Sequence, residues 1–86
     1  MNSFEKIEQF ENQSIQTIAY NMCKWFLFDR VNVNYEPRGN VESRMWITVK
    51  IEVGGKTYYI DGQRNDIVHR RLVEWLKGHI EKSSKQ

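Results

Sequence analysis

Six cations are the residues of this chain best suited to chemistry. Arg38 and Arg44 stand on or beside one short segment, and Arg64, Arg70, Arg71 and Lys77 stand on another. A guanidinium offers a fork of donors to two phosphate oxygens, and an ammonium offers a compact charge. Cations carried on separated elements suit shape-directed binding to a duplex, whose phosphates line adjacent grooves. The competing reading is a solvated surface, because Asp66 and Glu74 are interspersed among them.

Catalysis finds no comparable set. His69 and His79 are too far apart along one helix to share a metal, and no Cys or Asp completes a ligand group around them. Both fall at the edges of an apolar arc and read as packing residues. Cys23 lies beside a core stripe with no histidine near it in sequence, and reads as a small buried hydrophobe. No nucleophile–base pair, no paired carboxylates and no phosphate-cradling glycine loop is read. The expectation is a protein that is not an enzyme and uses no metal or cofactor.

Composition sets the bounds. At 86 residues the chain predicts one domain, and 40% hydrophobic content with 13% aromatics is enough for a small core without staples. The single cysteine excludes a disulfide framework and fits a reducing compartment. A net charge of +2 permits nucleic-acid binding without demanding it, and argues against an acidic mimic of DNA. The first residues, MNSFEKIEQFENQ, lack the basic start and apolar run of a signal peptide, and no stretch approaches membrane-spanning length. The expectation is a soluble, cytoplasmic protein with no membrane and no small-molecule substrate.

The elements that must position these residues are legible in pattern. Residues 45–62 predict a β-hairpin. Ile47, Val49, Ile51 and Val53 alternate with Trp46, Thr48, Lys50 and Glu52, the period of a strand with one buried face. Gly54-Gly55 supplies the positive φ that a two-residue turn needs, which pairs Val53 with Lys56, Ile51 with Tyr58 and Val49 with Ile60. Upstream, residues 3–28 predict a helix with two apolar stripes, Phe4, Ile7 and Phe10, then Ile15, Ile18, Ala19, Met22 and Phe26. The polar Asn12-Gln13-Ser14 between them marks a bend or break, with residues 1–13 extending the first helix. Val31, Val33 and Tyr35 alternate with asparagines in a first strand, and residues 36–44 form a loop. Asn65 is the expected N-cap of a last helix whose arc is Val68, Leu72, Val73, Trp75, Leu76 and Ile80, with residues 81–86 a frayed tail. The fold class is α+β: α-β-β-β-α, a three-stranded antiparallel sheet with both helices on one face.

The run from Ile47 through Gly54-Gly55 to Tyr58, with Gly62 before the last helix and Tyr35 before the loop, resembles the double-stranded RNA-binding domain. The likeness covers roughly residues 14–80. It implies that Gln16, Tyr20, Asn21 and Lys24 on the first helix, with Gln13 and Thr17, face a minor groove, where amides and hydroxyls suit the ribose 2′-OH. It implies that the loop and the start of the last helix grip phosphates. The family's lysine-rich opening of that helix is here Arg64-Asn65-Asp66-Ile67-Val68-His69-Arg70, and Arg38 stands where the first loop usually carries a histidine.

A second class of function stays open. Trp46 and Tyr59 fall on the sheet face that the helices leave uncovered, and the stripe with Phe4 and Phe10, or the all-round apolar end at Trp25, suits contact with a second chain. The protein would then be a protein-binding regulator or inhibitor, encoded by a phage or mobile element, or a homodimer. Some anti-CRISPR proteins are similar in element order. Small RNA-cleaving toxins share it too, but carry a histidine on the sheet that these strands lack.

Overall fold

The computed structural model describes residues 3–37 and 45–84. Arg38 and Arg44 lie outside the described residues, as does the side chain of Phe4. The order is α1 (Ser3–Phe10), α2 (Ile15–Phe26), β1 (Arg30–Pro37), β2 (Met45–Val53), β3 (Lys56–Gly62) and α3 (Asn65–Ser84), with an antiparallel sheet in the order β1-β2-β3.

The hairpin forms as its residues dictate. Gly54 and Gly55 take φ of +58° and +78°, and the register pairs Val53 with Lys56, Ile51 with Tyr58 and Val49 with Ile60. That register sends Ile47, Val49, Ile51 and Ile60 into the core, and a slip of one residue would expose all four. β1 adds on the far side of β2, with Val31 opposite Ile51, Val33 opposite Val49 and Arg30 opposite Glu52.

Two helices close the apolar face. α2 contributes Ile15, Ile18 and Met22, and α3 contributes Val68, Leu72, Val73 and Leu76, to one cluster with the strand residues. α3 passes so close to the end of β3 that a Cβ on Gly62 would sit 2.8 Å from Cγ2 of Val68. Only a glycine fits that approach without a shift.

Three expectations are corrected. α1 is a separate helix, not an extension of the next one. The backbone turns through Glu11 N–H to Glu8, Asn12 N–H to Gln9 and Gln13 N–H to Phe10 carbonyls, and Ser14 then caps α2 by accepting from the Thr17 N–H at 3.2 Å. Folding back there buries Ile7 and Phe10 in the common core. The cap of α3 is Arg64, not Asn65: the Arg64 carbonyl accepts the helix's first bond, from the Val68 N–H at 3.1 Å. Finally, α3 runs to Ser84, so residues 81–84 are helical instead of a frayed tail.

Candidate nucleic-acid interface

Chain connectivity decides what meets at each end of the sheet. α2 turns into β1 within three residues, 27–29, and β3 reaches α3 within two, 63–64. The N-termini of α2 and α3 and the two strand ends that flank residues 38–44 therefore lie at one end. A cleft of about 950 Å³ opens there, walled by Gln13, Ser14 and Ile15 of α2's start, Tyr35 and Met45 of the strand ends, and Arg64, Asn65 and His69 of α3's start. Helix N-termini carry partial positive charge and unpaired N–H groups, which suits anions.

His69 holds this end together. Its Nε2–H lies 2.9 Å from the carbonyls of both Phe10 and Gln13. Two acceptors on one nitrogen fix the proton there, so one imidazole ties α3 to the α1–α2 junction. The sequence marked His69 only as an edge packer. The signal for its role, carbonyls left facing α3 at a helix break, exists only once the break is placed against α3.

The sequence-predicted residues divide. Gln16, Thr17, Tyr20 and Lys24 are exposed on α2, a helix without an acidic residue. Lys24 Nζ lies 6.0 Å from the centre of the Tyr20 ring, within cation–π reach. Asn21 is corrected: it is buried, and its Nδ2 donates to Gln13 Oε1 at 2.9 Å. An amide turned inward needs a partner, and Gln13 at the helix start supplies one. The Asn21 side chain is therefore not presented to a ligand.

The four cations of α3 do not converge. Arg64 is exposed in the cleft wall but paired with Asp66 at 3.2 Å. Arg71 turns to the sheet and donates to the Asp61 carbonyl at 2.7 Å. Lys77 faces Glu11 at 3.9 Å, and Arg70 lies exposed on the same flank. Glu11 and Asp66 both line the cleft, so its charge is mixed.

The interface candidates divide as well. Phe10 is corrected: it is fully buried, stacked on Trp25 at 5.4 Å and edge-on to Phe26 at 6.2 Å. A ring held by two others in the core does not reach a partner. Trp25 and Trp46 are half-buried, and Tyr59 is 64% exposed on the uncovered face.

His79 stacks flat on Trp75 at 5.0 Å and edge-on to Phe28 at 5.4 Å. Burial, then the neighbouring Lys82 charge, hold its pKa below the usual histidine value. Cys23 is half-buried in a groove beside β1. Lys56 and Thr57 follow Gly55 as they would in a P-loop, but Lys50 stands where such a loop has its first glycine, and the turn leads into a strand rather than a helix. Among the described residues no group of three His, Cys, Asp or Glu could hold a metal, and no helix is long and apolar enough to cross a membrane.

Comparison with known proteins yields no family model that matches the chain, no curated protein that matches it, and no solved structure that matches it.

Proposed function

We propose that this protein is a non-catalytic nucleic-acid-binding module whose ligand is structured or double-stranded RNA. The observation that carries the reading is the meeting, at one end of the sheet, of the first turns of α2 and α3 and the strand ends flanking residues 38–44. Cations and polar groups then reach a duplex from three elements, the arrangement that spanning adjacent grooves requires. Gln16, Tyr20 and Lys24 would meet the ribose edge. Arg64 and Arg70, with Arg38 and Arg44 of the connection, would meet phosphates. The hairpin's likeness to the double-stranded RNA-binding domain supports the same reading. The lone cysteine fits action in the cytoplasm.

Fluorescence anisotropy with a duplex RNA of about 16 base pairs tests it. Binding should favour RNA over duplex DNA and fall steeply between about 50 and about 200 mM salt. Lys24→Glu and Arg64→Glu should each weaken it. Asp66→Asn, which releases Arg64 from its pair, should tighten it. Absence of any salt-sensitive RNA binding at low ionic strength would overturn the proposal.

A second reading rests on Tyr59. It stands on the uncovered face in a row with Asn32 and Lys50, on a strand at the sheet's edge. A large exposed aromatic there suits a protein partner, as for a regulator or inhibitor. Recovery of a host protein that Tyr59→Ala abolishes, with RNA binding absent, would favour it.

A further inference from the structure

The two edges of the sheet differ. On the β3 edge, Arg71 occupies the Asp61 carbonyl and Lys56 opens the strand. Such charges blunt an edge against further pairing. β1 has no such protection. From Val31 to Tyr35 it carries no charge, glycine or proline, and among the described residues it pairs with β2 alone. Beside it lies a groove between β1 and α2, lined by Gln16, Ala19, Tyr20, Cys23, Val31 and Val33. Val31 and Val33 point to the helix-covered side yet are only half-buried, and Tyr20 above them is 66% exposed.

We infer that the β1 edge pairs with the β1 edge of a second copy of this chain, antiparallel about a two-fold axis at Val33. The occupant follows from the strand's own sequence. About that axis every opposed pair is complementary. Val33 meets its own copy, and Val31 meets Tyr35, on the helix-covered side. Asn32 meets Asn34, amide to amide, and Arg30 meets Glu36, on the uncovered side. Both ends of the interface then carry an opposite-charge pair. Arg30 already lies 3.7 Å from Glu52 within its own chain, so in the pair it sits between two carboxylates. Moving the axis by one residue either way loses the Arg30–Glu36 match. The two sheets become one of six strands, and the α2 helices come side by side, where the small Ala19 and Cys23 allow close approach. The half-buried valines and Tyr20 gain the cover they lack in one copy. The pairing is argued from β1 and does not rest on RNA binding, but it covers Gln16 and Tyr20 and so competes with a duplex for that face of α2.

Sedimentation of the full chain, with circular dichroism to verify folding, tests it by charge exchange. Glu36→Arg sets two guanidinium groups against one another at both ends, and Arg30→Glu sets two carboxylates there. Each variant alone should self-associate at least about tenfold more weakly than the unaltered chain. An equimolar mixture of the two variants offers a pairing with like charges replaced by opposite ones at both ends, and should recover the dimer. A monomeric unaltered chain overturns the inference. So does a dimer that either variant leaves intact, or a pair of folded variants that fail to rescue one another.

Discussion

At one end of the sheet, four rings pack around the C-terminal half of α3. Phe28 meets Trp75 edge-on at 5.9 Å, Tyr58 leans on Trp75 at 5.2 Å, and His79 stacks on the same indole. The chain is pinned there by Asp29, whose N–H donates to the Glu52 carbonyl at 3.0 Å and whose Oδ2 accepts from the Gly54 N–H at 3.2 Å. At the other end, α1, α2 and α3 are joined by polar contacts around an open cleft, with one imidazole shared between two carbonyls. The balance between ring packing and polar contact differs between the two ends. Ring packing excludes water and stabilises. Polar closure leaves backbone and side-chain groups that a charged ligand can still reach.

Substitutions at the two ends should differ in size. The largest effect should come from Phe28→Ala at the packed end, a loss of about 3–5 kcal/mol by urea unfolding. A loss below about 1 kcal/mol would mean that the ring cluster is not what holds that end. Next is His69→Phe at the open end. The Gln13 carbonyl loses its partner and the Phe10 carbonyl loses one of two, at about 1–3 kcal/mol. Amide exchange should quicken in α1 before the sheet, and uniform exchange would break the idea that His69 docks α1.

Leu27 should give a smaller effect of opposite sign. It ends α2 at φ +59°, a conformation costly to a branched side chain, and is 82% exposed. Leu27→Gly should raise stability by up to about 1 kcal/mol, and destabilisation would show that the leucine makes a contact worth more than its strain. The smallest effect is the pH dependence of His79. Its folded pKa lies below its unfolded value, so its contribution is complete above about pH 6.5 and is lost as pH falls through the folded value. His79→Phe should flatten that part of the stability–pH curve, and an unchanged slope would place the titration elsewhere.

Legibility followed the range of the interaction. The hairpin was readable because a period of two and a glycine pair are local, and a slip of one residue exposes Ile47, Val49 and Ile51. The arc of α3 was readable because Val68, Leu72 and Leu76 recur at helical spacing. The polar Asn12-Gln13-Ser14 announced a break, but not that the chain would fold back and bury Phe10. Asn21 read as a surface amide because nothing local reveals that Gln13 will meet it.

The strands, the register of the hairpin, the apolar faces of both long helices and the absence of a disulfide framework were all written in the order of the residues. They follow from periodicity, turn chemistry and composition, which act between near neighbours. Which polar groups remain outside was settled only when the elements came together. Arg64, Arg71 and Lys77 found partners within the fold, and Gln13, Asn21 and His69 became internal ties. The physical reason is that a buried hydrogen-bonding group must be satisfied wherever its partner comes from, and here the partners lie on other elements or at the far side of a turn.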